Sequence, residues 1–282
     1  MKQYLDIIEE IMEKGIDRPD RTGIGSRMLF ERTMRFDLSQ GFPIITAKKV
    51  PFNLIKAELL WFIKGSSDIK ELHQNNCHIW DDDVNTARWR GKGKFEGDAG
   101  RIYGVQWRDW RAVENNGLVK KIDQLNHLIK NLKNDPLGRR HILTTWNPGE
   151  LDQMVLPPCH DVITHFSVVN NKLSMFMYQR SCDMFLGVPF NISSSSLFLC
   201  LVAQAANFQP GEFIHQLGDA HIYLNHFAPV QEMLTRKDNL FPLPKLWLNP
   251  AIKSINDFGM EDIELKNYKF HPAIKAPLNV GV

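Results

Sequence analysis

Residues 192–206 are nearly all apolar and carry no charge. A helix of that composition has no face to offer water, so it must lie inside the protein. Residues 53–63 read the same way. Leu54, Ile55, Leu59, Leu60, Trp61, Phe62 and Ile63 make a helix apolar on most sides. Burying two such helices takes a substantial chain, and 282 residues allow one large domain or two small ones. No apolar run is expected to reach the ~20 residues of a membrane span.

The remaining elements interleave around these helices. Tyr4, Leu5, Ile7, Ile8, Ile11 and Met12 recur at helical spacing, and Gly15 suits the helix end. Residues 27–35 alternate as a strand, and Ile44–Thr46 reads as a second, short one. Val119, Ile122, Leu125, Ile129 and Leu132 predict an amphipathic helix stopped by Asn134-Asp135-Pro136. Residues 142–146 read as a strand. Val162–Val169 and Leu173–Tyr178 predict a hairpin turning at Asn170-Asn171. Asn191 stands at a natural N-cap of the 192–206 helix. Residues 213–217 form a strand, 218–221 a loop, and 223–234 a helix. With no repeat, linker or regular βα period, the expectation is one α+β domain over 1–282, its helices packed on a large mixed or antiparallel sheet. Residues 81–101 lose apolar periodicity and read as a surface insertion.

Composition narrows the function. The net charge of +2 makes no general case for nucleic acid or membrane. The Arg88–Lys94 run is basic but reads as a solvated loop. Asp81-Asp82-Asp83 lacks a second acidic cluster, so no metal is expected. Four cysteines, at 77, 159, 182 and 200, form no CxxC pair or disulfide framework. Met1-Lys2-Gln3-Tyr4 opens an amphipathic pattern instead of a signal peptide, which predicts a reducing, cytoplasmic setting.

Within this frame Cys159 stands out. It follows Pro157-Pro158 and precedes His160. Arg21, Arg139, Arg140 and Arg180 each sit near a turn or strand end, as do Tyr103, Ser181, Asn191, His221 and Tyr223. A thiolate nucleophile needs positive neighbours. Several arginines and a hydroxyl hold a phosphate well, and an amide can read the edge of a base. Glu58 lies inside the 53–63 helix, either partnered in the interior or on its wet edge. The residues alone point to a thiol-nucleophile enzyme acting on a phosphorylated small molecule.

A resemblance extends this. Asp20-Arg21-Thr22-Gly23, Glu58-Leu59-Leu60-Trp61-Phe62, Ile79-Trp80-Asp81 and Tyr103-Gly104-Val105-Gln106-Trp107-Arg108 are followed by Arg139-Arg140, Trp146-Asn147 and Pro157-Pro158-Cys159-His160. Then come Tyr178–Asp183, Phe185–Asn191, Gly218–Tyr223 and His271–Pro277. In order and spacing the chain resembles thymidylate synthases over nearly its full length. The resemblance implies that Cys159 adds to C6 of dUMP and that 5,10-methylenetetrahydrofolate supplies the one-carbon unit. It implies proton transfers through Glu58, with Tyr103 and His160 beside the thiol and Asn191 reading the pyrimidine. It places Arg21, Gln179, Arg180, Ser181, Asp183, His221 and Tyr223 on the nucleotide. Arg139 and Arg140 would come from the partner subunit of a homodimer joined through the sheet. Lys48, Ile79, Trp80, Asp83, Asp183, Leu186, Gly187 and Phe190 would line the folate site, and the C-terminal segment would close over it.

Five departures from the family pattern stand out, and several fall where the resemblance places the folate and the exocyclic methylene. Four residues, Asp161–Thr164, separate Cys159-His160 from His165-Phe166, where the family has three. Ser193-Ser194-Ser195 replaces Ala-Ser-Tyr. Asp83 replaces Trp or Asn, and Arg101 replaces proline. The ending Leu278–Val282 is about two residues longer. These changes keep open a dUMP hydroxymethylase, in which water meets the methylene in place of hydride. A non-catalytic nucleotide- or RNA-binding homologue is the third reading, opposed by the retained Cys159, Glu58 and arginines.

Overall fold

A computed structural model describes residues 1–155 and 159–279. Helix α1 (Lys2–Lys14) buries Tyr4, Leu5, Ile7, Ile8 and Ile11 along one stripe. Strands β1 (Ile16–Arg18) and β2 (Ser26–Asp37) follow, then α2 (Phe52–Lys64), which ends on Gly65 in the left-handed conformation. Short helices α3 (Lys70–His73), α4 (Asp81–Val84) and α5 (Tyr103–Arg108) precede the hairpin of β3 (Trp110–Val113) and β4 (Val119–Ile122). Next come α6 (Gln124–Asn134), β5 (Ile142–Thr144), β6 (Asp161–Val169) and β7 (Lys172–Asp183). The long α7 (Gly187–Ala206) leads to β8 (Gln209–Tyr223), α8 (Phe227–Leu234), and the small pair β9 (Lys245–Leu248) and β10 (Ile263–Lys266).

Six strands form the main sheet in the order β1-β2-β8-β7-β6-β5. All neighbours are antiparallel except β7 and β8. Parallel strands need a crossover, and α7 is that crossover. Leu173, Met175, Met177 and Gln179 on β7, with Phe213, His215 and Leu217 on β8, are buried on the inner face. Against this face α7 packs Phe198, stacked on Trp107 at 4.7 Å and edge-on to Phe166. Across the opposite face, register aligns Ile142, His165, Phe176, Ile214 and Arg35 in one row. Ile142 is 41% exposed, Arg35 is exposed, and His165, Phe176 and Ile214 are only half-buried among the described residues.

The fold class matches the sequence reading, and several local details do not. By length and composition α7 is long enough to cross a membrane, contrary to expectation, but it lies mostly buried inside the protein. It begins at Gly187, so Asn191 is not its cap. The N-cap position is Leu186, without a side-chain cap bond, and the approach to the helix is held by Asp183 Oδ1, which accepts from the N–H groups of Phe185 and Leu186. Val119 and Ile122 belong to a hairpin, since Gly117 turns the chain at φ +82° and Asp123 caps α6 by accepting from Asn126 N–H. Ile44–Thr46 is buried without strand pairing; Tyr268 Oη donates to Ile45 O, and His271 N–H to Thr46 O. Residues 218–221 continue β8, and the helix after it starts at Phe227. Gly218 permits that continuation, because a Cβ there would meet Tyr178 Oη at 2.7 Å. The Asn170-Asn171 turn is as read, with both residues at positive φ.

About half of 81–101 is exposed, and Trp89 pins the segment down. Its buried ring donates through Nε1 to Asp98 O at 2.6 Å. At the end of the segment Arg101 is 3% exposed. Its guanidinium donates to Glu150 Oε2 at 2.6 Å and Asp109 Oδ2 at 3.1 Å, and Gln106 Nε2 also donates to Glu150 Oε2. An arginine replaces the family's proline here because it anchors this buried carboxylate. Removing it leaves Glu150 without its main countercharge, so Arg101→Ala is expected to cost about 3–5 kcal/mol in urea unfolding. A loss below about 1 kcal/mol would mean that the pair does not hold the segment.

Candidate active site

The site begins where β6 starts. Asp161 pairs with Gln179 and Ile163 with Tyr178, so Val162 is an extra residue forming a β-bulge. The four-residue spacing in the sequence is therefore a bulge next to Cys159. The Leu156-Pro157-Pro158 stretch before it, and Val280–Val282 of the longer ending, lie outside the described residues.

Cys159 is 2% exposed, and its Sγ accepts from Tyr103 N–H at 3.1 Å. Burial pushes the thiol up to about 12, against the pull of that N–H, and the Asp161 carboxylate pushes the same way. Desolvation thus outweighs the hydrogen bonds from the Tyr103 and Cys159 backbone and from Thr145, which favour the thiolate. Tyr103 Oη accepts from His160 N–H at 3.2 Å, and His160 Nδ1 lies 2.7 Å from Asp161 Oδ1. The Phe62 and His160 rings flank Tyr103.

Glu58 projects from α2. Trp80 Nε1 donates to its Oε1 at 2.8 Å, so it is the partnered carboxylate of the two readings. Burial raises it to about 7, opposed by the indole donor and His160. At neutral pH it is present in both protonation states, as a proton relay requires.

A second network fixes Asn191. Burial pushes His215 down to about 4, so its imidazole is neutral and has one N–H. Its Nε2 lies 2.8 Å from Gln179 Oε1, which can only accept, so Nε2 carries the proton. Gln179 Nε2 then donates to Ser181 O and to Asn191 Oδ1, each at 3.0 Å. Turning the Asn191 amide over would set NH2 against NH2. Oδ1 is therefore held toward Gln179, and Nδ2 remains to donate. Sequence reasoning missed His215; its signal was an unpaired polar residue within the alternating apolar 213–217 strand.

Strand pairing assembles the other polar residues. Ser181 lies beside Asp219, Asp183 beside His221, and Ser26 beside Tyr223. The last pairing brings in the Arg21 loop, whose backbone turns at Gly23 and Gly25 with positive φ. Arg21 is exposed and makes no ion pair among the described residues. Its charge and that of Asp183 both act on Tyr223. His221 Nδ1 lies 3.0 Å from Asp219 Oδ1. Arg180 Nε donates to Cys159 O at 3.3 Å, and its guanidinium lies over Trp146. Arg139 and Arg140 are exposed beside edge strand β5, so within one chain they stand apart from these groups.

The thymidylate synthase family model matches residues 2–280. The chain belongs to the thymidylate synthase family. Thymidylate synthases are folate-dependent one-carbon transferases of nucleotide biosynthesis, and the folate-side residues can be compared with that chemistry. Trp80 is buried, and Ile79, Leu186, Gly187 and Phe190 are half-buried. Among the described residues Asp183 Oδ2 makes no hydrogen bond, which leaves one carboxylate oxygen available to a ligand's donor. Asp83, where thymidylate synthases have an aromatic or amide, is raised by burial to about 6. Lys48 is not an outward cation: its Nζ donates to Phe185 O at 2.6 Å, and burial lowers it to about 8.

Glu58 supplies a stability test. Its carboxyl is protonated in both folded and unfolded chains below pH about 4.5, so it costs nothing there. Above about 7 it is ionised in both, and the folded chain bears a penalty of about 3 kcal/mol. Glu58→Gln should therefore raise Tm, by an increment that grows as pH rises from 4.5 to 7 and then levels off. An increment independent of pH would mean that the carboxylate ionises freely.

Proposed function

We propose that the protein is a thymidylate synthase, converting dUMP to dTMP through a covalent bond from Cys159 to uracil C6. The observation that carries this is the convergence of a buried thiol, a carboxylate at about 7 and an orientation-locked Asn191 at the start of β6 and the end of β7. The folate supplies the one-carbon unit and the hydride that reduces it.

The chain's own residues do the rest. Arg21, Arg180 and Ser181 bind the phosphate, joined by Arg139 and Arg140 of the partner subunit. His221 and Tyr223 hold the sugar hydroxyl. Asn191 Nδ2 donates to uracil O4, and the second lone pair of Oδ1 accepts from N3–H. Cytosine presents the reversed pattern, so an amide that cannot turn over rejects it. Attack requires the thiol to lose its proton. Arg180 brings positive charge to the Cys159 backbone, and Glu58 takes and returns protons through water near the base. The incompletely buried sheet row through Ile142, Phe176 and Ile214 supports a homodimer built on that face.

One observation favours a second reading, the dUMP hydroxymethylase. The bulge sets Asp161 and His160 beside the thiol as a hydrogen-bonded couple able to orient a water. A cavity of about 30 Å3 lined by Tyr103, Asp161, Thr164, Ser194 and Ser195 has room for one such water.

Incubation with dUMP and methylenetetrahydrofolate, with both products identified by mass, separates the readings. The synthase gives dTMP and dihydrofolate; 5-hydroxymethyl-dUMP with tetrahydrofolate would overturn it. Cys159→Ala should abolish turnover and the covalent adduct. No turnover by the unaltered protein would leave a binding protein. The amide lock has its own test: Gln179→Ala or His215→Phe should cut the preference for dUMP over dCMP in kcat/KM by about tenfold, the worth of one hydrogen bond. Equal losses for both nucleotides would make the network merely structural.

A further inference from the structure

Outside this site, the loop between α3 and α4 brings three metal-binding groups to one point. His73 Nε2 lies 2.7 Å from Asp81 Oδ1, and His78 Nδ1 lies 2.9 Å from Asp81 Oδ2. The two imidazoles stack with centroids 4.5 Å apart, so both nitrogens face one carboxylate. One ligand atom from each residue lies within 4.8 Å of the others. Around a tetrahedral ion with bonds of ~2.0–2.1 Å, ligand atoms sit roughly 3.4 Å apart, so small ring rotations close the set.

The loop is fixed before any ion arrives. Asn75 and Cys77 N–H donate to Leu72 O, Asn76 N–H donates to His73 O, and Asn76 adopts φ +51°. Cys77 is fully buried and anchors the loop from below. A cleft of about 550 Å3, lined by His73, Asp81, Trp89 and Asp98 among others, opens beside two of the three groups. It gives an ion-bound water its place.

We propose that His73, His78 and Asp81 bind one divalent transition metal ion, with Zn2+ the best match to two imidazoles and a carboxylate. The fourth position takes water. The ion ties the end of α3 to the start of α4, one residue after Trp80, whose indole holds Glu58. Its role is structural: it fixes the wall carrying Trp80. The expectation of no metal weighed only the aspartates at 81–83. The histidines three and eight residues before Asp81 follow no common ligand spacing.

Calorimetric titration of the whole protein with Zn2+, paired with Co2+ visible absorption, tests the site. One ion per chain is expected, with tetrahedral Co2+ bands and a Tm raised by Zn2+. His73→Ala and His78→Ala, each folded by circular dichroism, should lose both binding and the Tm rise; Cys77→Ser should keep them. Absence of saturable binding would overturn the proposal, as would unchanged binding in the double histidine variant. A thiolate-to-cobalt charge-transfer band would also overturn it, by placing the ion on a cysteine.

Discussion

The pairing of β7 with β8 is the constraint on which the site depends. It is the one parallel contact in the main sheet, and it lays the end of β7 alongside the end of β8. Gln179, Ser181 and Asp183 thereby meet Leu217, Asp219 and His221 at fixed register. A slip of one residue would send each side chain to the other face. The pairing is possible only because α7 carries the chain back across the sheet, so the most apolar helix and the most polar strand ends serve one geometry. Gly218 keeps β8 straight where Tyr178 needs its space.

Burial then sets the chemistry. Desolvation raises Cys159 to about 12 and Glu58 to about 7, and lowers His215 to about 4. Each shift favours a neutral group. The resting floor of the site is therefore low in charge, which protects the thiol and defines the hydrogen-bond direction of His215. A charged imidazole would donate from both nitrogens and lose its single role toward Gln179. At Cys159 the same desolvation favours the protonated thiol.

The main elements were legible because their signals were local. The stripe of α1, the uncharged run of α7 and the Asn170-Asn171 turn each follow from periodicity or turn chemistry within a short window. The misreadings have the opposite origin. Asn191 looks like a cap, but α7 begins four residues earlier, at Gly187, and Asn191 lies inside it. Val119 and Ile122 fit helical spacing, but the left-handed glycine and the Asp123 cap override it. Nothing near Lys48 in sequence signals its acceptor, Phe185 O, which lies 137 residues away. In the site, Cys159 and Glu58 were visible as residue types in unusual company. The His215–Gln179–Asn191 order was not, because it depends on which strand positions share a face.

The bulge at Val162 shows how one residue can alter the site while leaving the sheet intact. From Ile163 onward β6 keeps regular pairing with β7, so the inner face still buries Thr164 and Phe166. The surplus is absorbed entirely at the end next to Cys159. There it puts a carboxylate against His160, and the charge of that carboxylate acts on the thiol, Tyr103 and Glu58. An ordinary substitution would change one side chain. A bulge re-aims the strand end and changes the local field, without disturbing the register that holds Gln179 and Arg180. The β6 terminus can thus vary while the β7–β8 register stays as it is.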